Sequence, residues 1–126
     1  MRLHHVALQV TELARARAFY AGVLGFVVTR EQAHALWLDA GGVIVMLERC
    51  DGVDDEAAAA DARAWASARP GPFVVAFAIA PHERAPLRAR LVDAGVAIDH
   101  ESVFTLYVRD PFGARLAFSH YPDAAP

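Results

Sequence analysis

Apolar and polar residues alternate through the opening stretch LHHVALQV, the signature of a strand with one face buried. In an extended chain His4, Val6, Leu8 and Val10 share one face, and His5, Ala7 and Gln9 share the other. The first face reads as core, which turns His5 and Gln9 toward surroundings that accept polar groups. The period then changes. Leu13, Ala16, Phe19, Tyr20, Val23 and Leu24 recur at spacings of three and four, predicting a helix capped by Thr11 and ended by Gly25. Three further extended segments follow, FVVTRE, AHALWLDAGG and VIVMLERC, with Ala40, Gly41 and Gly42 turning the chain between the last two. The order is β-α-β-β-β.

From Pro72 onward the same order returns: PFVVAFAIA as a strand, HERAPLRARLVDAG as a helix ended by Gly95, then VAIDHE, SVFTLYVRD, the turn DPFG and ARLAFSHYP. His5 falls on Val74 at an offset of 69, Leu24-Gly25 on Ala94-Gly95 at 70, and Asp39 with Gly42 on Asp110 with Gly113 at 71. Two copies at so long a period fit paired modules better than a solenoid array. Between them lies DGVDDEAAAADARAWASARPGP, acidic and then alanine-rich. Ala57 to Ala68 can form a short helix with Trp65 packing inward, and the same composition also suits a linker.

Composition narrows the function classes. The 126 residues, 56% hydrophobic, suffice for one domain with a sizeable core. A formal charge of −3 with scattered arginines argues against a nucleic-acid partner. No apolar run approaches the roughly 20 residues of a membrane span, and the opening residues lack a signal-peptide pattern, so a cytoplasmic location is expected. The single cysteine, Cys50, excludes an internal disulfide and reads as an incidental thiol at a strand end. Gly-x-Ser-x-Gly elbows, phosphate-binding Gly-Lys-Ser/Thr loops and Cys-x-x-Cys pairs are absent from the sequence.

The tandem modules, the opening LHHVALQVTELARARAFYAGVLGF and the closing FTLYVRDPFGARLAF together resemble the vicinal oxygen chelate superfamily, which includes glyoxalases, ring-cleaving dioxygenases, fosfomycin-resistance enzymes and bleomycin-resistance proteins. The resemblance implies an α+β fold spanning 1–126 as a single domain: module one over about 1–50, a linker over about 51–71, and module two over about 72–122. Each module would curl a four-stranded mixed sheet into half of an open cup with its helix on the outer face. It also implies pairing into a homodimer. Family enzymes hold a divalent metal with one residue from the first strand and one from the last strand of each module. Here those positions carry His5, Met46, Val74 and Ala117. Only His5 is a suitable ligand, since a catalytic divalent ion needs about three imidazole, carboxylate or thiolate donors.

The expectation is therefore binding, or sequestration, of a small, partly apolar organic molecule without a metal or other cofactor, and without an assigned catalytic residue. Strand alternation combined with the repeat directs His5, Ala7 and Gln9, His34 and Leu36, Ile44, Met46 and Glu48, Val74, Ala76 and Ala78, Thr105 and Tyr107, and Ala117 and Ser119 into the cup, with Arg109 as a further candidate, a mostly apolar lining with a few separated polar groups. Of these, His5, Gln9, His34, Met46, Glu48, Thr105, Tyr107 and Ser119 are the expected ligand contacts. Trp37, of opposite parity, is expected under a helix, Asp110 in a local turn, and His82, His100 and His120 in surface or edge roles. The alternative is a metal-dependent lyase, isomerase or dioxygenase whose site has moved to His5, His34 and Glu48.

Overall fold

A computed structural model describes residues 4–50 and 74–123. The described residues form two compact units, one on each side of 51–73. The helix expected over 57–68, with Trp65, lies outside the described residues.

The first unit contains β1 (His5–Val10), α1 (Leu13–Arg17), β2 (Val27–Glu31), β3 (Ala35–Asp39) and β4 (Ile44–Arg49). Its sheet has the order β1-β4-β3-β2, with β1 parallel to β4 and the other pairs antiparallel. The second unit repeats this with β5 (Val75–Ala78), α2 (Arg84–Asp93), β6 (Ile98–Glu101), β7 (Thr105–Arg109) and β8 (Arg115–Ser119), ordered β5-β8-β7-β6. The fold is α+β with two tandem βαβββ modules, each a four-stranded mixed sheet. No helix among the described residues is long and apolar enough to cross a membrane.

Two local differences separate α1 from its sequence reading. Its N-cap is Glu12 rather than Thr11, without a side-chain capping bond, so Thr11 belongs to the preceding loop. The helix then widens into a π turn over Ala18–Val23, where Leu24 N–H donates to the Phe19 carbonyl at 3.0 Å. Adjacent Phe19 and Tyr20 are both buried there. Gly25 follows at φ +79°, a left-handed conformation in which a Cβ is strained, and it ends the helix as expected.

The first core lies where α1 packs on β3 and β4. Leu36 and Leu38 of β3 and Val45 and Leu47 of β4 are essentially sealed from solvent, together with Ala16 and Tyr20. Each such side chain contributes about 1.5–3 kcal/mol on burial. Leu106, Val108, Leu116 and Phe118 form the matching apolar set of the second unit, where Leu87 and Leu91 of α2 are also buried.

Ion pairs fasten the helical layer at its edges. Arg17 Nη1 lies 3.0 and 3.1 Å from the two Glu31 carboxylate oxygens, linking α1 to β2. In the second unit Arg84 and Arg88 both engage Glu101 of β6, at 3.5 and 3.0 Å. Arg84 also donates to the carbonyls of Ser102 and Val103, both at 2.8 Å.

His120 departs from the surface or edge role expected of it, being buried. Its Nε2 lies 3.1 Å from Arg84 Nη1, which can only donate, and its Nδ1 faces the Asp123 carbonyl, which can only accept. Those partners select the neutral Nδ1–H tautomer and give His120 a structural task.

Candidate functional site

In the first unit α1 packs against one sheet face, and the opposite face, with its counterpart on the second sheet, carries the candidate residues; on the second sheet Thr105, Arg115 and Ala117 of that face are buried. On β1, Val6, Leu8 and Val10 pair with Val45, Leu47 and Arg49, while His5, Ala7 and Gln9 pair with Ile44, Met46 and Glu48. Strand β3 adds Ala35 beside Glu48, Trp37 beside Met46 and Asp39 beside Ile44. The central row of this face is therefore Ala7–Met46–Trp37, with His5–Ile44–Asp39 on one side and Gln9–Glu48–Ala35 on the other. An apolar row bracketed by polar ones is a composition common in small-molecule sites.

The register corrects the parity expected for β3. Leu36, expected in the cup, pairs with Leu47 and is buried in the helix-facing core. Trp37, expected under a helix, lies on the His5 face, where its ring centroid is 5.2 Å from that of His5 at an interplanar angle of 54°. Its indole Nε1–H donates to Gln32 Oε1 at 3.1 Å, which sets the ring's orientation. The cause of the mismatch is one residue of loop length. The β3–β4 connection is 40–43, and the β7–β8 connection is 110–114. Aligning the modules on their Asp-x-x-Gly turns thus slips the third strand by one place, and a one-place slip exchanges its faces. The structural counterpart of Trp37 is Tyr107.

The opening histidines also differ from their expected separation. His4 precedes β1, so strand alternation does not govern it, and its Nδ1 approaches His5 Nδ1 at 2.8 Å. One ring donates and the other accepts across that contact. His5 is thus flanked by an exposed imidazole and a half-buried indole.

On the second unit's corresponding face, Ala117 lies between Ala76 of β5 and Tyr107 of β7, and Tyr107 is paired in turn with His100 of β6. The Tyr107 and His100 ring centroids are 5.7 Å apart, a contact that the surface or edge role expected for His100 did not include. Thr105 Oγ1 donates to Ser119 Oγ at 2.9 Å, so these two expected contacts are bonded to each other across the strands. Further along, Arg109 and Arg115 are cross-strand partners. Asp99 accepts from Arg109 Nε at 2.9 Å. Burial pushes the Arg115 guanidinium pKa down, the Arg109 charge adds to that effect, and Asp99 opposes it. Asp110 takes the local turn role expected of it, accepting from the amides of Phe112 and Ala114 at 2.9 and 2.7 Å.

The remaining expected contacts are dispersed. His34 is exposed in the bend before β3, where its carbonyl accepts from Arg49 N–H at 2.8 Å. Gln9 and Glu48 are exposed cross-strand neighbours. Among the described residues no group of three or more His, Cys, Asp or Glu side chains is gathered where it could hold a metal ion, so the described structure does not assemble His5, His34 and Glu48 into the relocated site. Cys50 is half-buried just beyond β4, its amide donating to the Val10 carbonyl.

The sequence matches the model of the Glyoxalase/Bleomycin resistance protein/Dioxygenase superfamily over residues 2–118, and the chain belongs to that superfamily. Among solved structures it is similar to a glyoxalase/dioxygenase from Nostoc punctiforme, at 19% identity and a TM-score of 0.77, covering 93% of this chain and 88% of that one. It is also similar to a lactoylglutathione lyase from Agrobacterium tumefaciens, at 18% identity and a TM-score of 0.69, covering 94% and 92%. A mutant of the fosfomycin resistance protein FosX from Listeria monocytogenes, solved with Mn(II) and 1S,2S-dihydroxypropylphosphonic acid, has 15% identity and a TM-score of 0.73, covering 94% and 89%. At these identities the likeness shows the fold. A comparison with curated proteins gives no match.

Superfamily enzymes imply a divalent metal, and the residues at the four positions that match the family pattern do not fit one. At the positions that match the family pattern, the first unit offers the imidazole of His5 and the thioether of Met46, and the second unit offers Val74, just before β5 rather than within it, and Ala117. Thioether sulfur is a soft donor suited to copper(I), and Val74 and Ala117 have no side-chain donor. A lone imidazole falls short of the three protein ligands a catalytic site uses.

Proposed function

We propose that this protein binds a small, partly apolar organic molecule on the sheet faces opposite its helices, and does so without a catalytic metal. The observation that carries the reading is the side-chain set His5, Met46, Val74 and Ala117, in which apolar and thioether groups stand where the family pattern calls for ligands. Those groups favour burial of hydrocarbon, and sparse polar groups beside them can orient a ligand. The His5, Met46 and Tyr107 side chains are the principal contacts. Gln9, Glu48, Thr105 and Ser119 supply the polar surroundings, with His34 at the margin. Sequestration of a toxic compound by a cytoplasmic homodimer is the concrete form of this proposal.

Protein-observed NMR against a library of small organic fragments, in chelator-containing buffer, tests it. Saturable shifts of the Met46 methyl group and the Tyr107 ring are expected with part of the library. Binding that occurs only after a divalent metal is supplied contradicts the proposal.

A further inference from the structure

We infer that Trp37 makes the first unit's open face selective for planar aromatic ring systems over saturated molecules of the same size. This rests on the small-molecule reading above and specifies its ligand class. The indole is half-buried on the face opposite α1, directly across the strand pair from Met46, with Ala7 beyond. Because its N–H is already donated to Gln32, this group's remaining contribution to recognition is its flat π surface. That bond fixes the ring plane before a ligand arrives, so little side-chain freedom is lost on binding.

The neighbours suit the same occupant. Met46 brings a polarizable thioether, which makes favourable contacts with aromatic rings. His5, tilted at 54° to the indole, adds a second ring and a nitrogen able to hydrogen-bond a substituent at the edge of a planar ligand. The second unit carries a related arrangement: Tyr107 holds the place of Trp37, the imidazole of His100 is 5.7 Å away, and the adjoining row is Ala76 and the buried Ala117. A flat aromatic group beside an imidazole thus occurs once per module, although different strands supply the two imidazoles.

Calorimetric titration with 2-naphthol and with trans-2-decalol, its saturated counterpart, tests the inference on wild-type protein, Trp37→Phe and Trp37→Leu. At least tenfold tighter binding of 2-naphthol is expected for wild type, retained in Trp37→Phe and erased in Trp37→Leu, with circular dichroism verifying the fold. Equal affinity for both probes in wild type overturns aromatic selectivity and leaves the small-molecule reading standing. Failure of both to bind overturns the two together. A preference for 2-naphthol undiminished in Trp37→Leu removes Trp37 as its source.

Discussion

Trp37 and Tyr107 occupy one position in two copies of the same module: each sits in a third strand, directly across from the residue at the family's last-strand metal position, Met46 for Trp37 and Ala117 for Tyr107. The candidate face of each sheet is consequently organised around an aromatic ring, where a metal enzyme of this family would place an ion between donors.

The assignment of faces on β3 makes a direct prediction. Leu36 is buried in the helix-facing core, so Leu36→Ala should cost about 2–5 kcal/mol, through lost transfer energy and a residual cavity. Trp37→Phe on the half-buried opposite face should cost about 1 kcal/mol or less. Chemical denaturation of the two variants checks the pair, and the reverse ranking would restore the parity expected from sequence.

Glu101 gives a pH-dependent prediction. The hydrogen bond from Arg88 lowers its carboxyl pKa most; burial opposes that, while the Arg88 charge and Arg84 reinforce it. A depressed carboxylate pKa stabilises the fold above the unfolded-state value, and the contribution disappears as pH falls through the folded-state value. The site is more than a third exposed, which keeps the contribution small. Glu101→Gln should therefore lose about 0.5–1 kcal/mol at pH 7, and its urea midpoint should converge with that of wild type below the ordinary carboxylate range. A gap that stays constant into acid would contradict the ion-pair account.

Asp99 moderates two guanidinium groups on neighbouring strands. Asp99→Asn removes the carboxylate charge from Arg109 and withdraws the favourable field at buried Arg115. A loss of about 1–2 kcal/mol is expected by thermal and chemical denaturation. Because the Asp99–Arg109 pair is partly exposed, added salt should narrow the difference. A salt-independent loss would point to packing instead.

Much of this architecture was legible because it obeys simple periods. The alternation in LHHVALQV identifies β1, and the glycines after Leu24 and Ala94 mark where each helix stops. The repeat establishes two modules, and the resemblance to the superfamily is what names the donor-poor set His5, Met46, Val74 and Ala117. What stayed hidden depended on a single-residue change in hairpin length, which moved Trp37 rather than Leu36 to the open face. Tertiary partners were hidden as well. The sequence around His120 contains no sign of Arg84, which arrives from a distant helix to fix its tautomer. The π turn at Ala18–Val23, where Phe19 and Tyr20 are both buried, was likewise not expected from the three-and-four spacing.

The central claim is that this chain carries an imidazole at one of the positions matching the family's metal pattern without the companion donors that a divalent metal needs. Elemental analysis of protein purified without chelators and dialysed exhaustively, with Ala substituted for His5 as the control, tests it most directly. The account predicts well below one zinc, nickel, manganese or iron per chain in both proteins. A stoichiometric metal retained by wild type and lost from His5→Ala would contradict it.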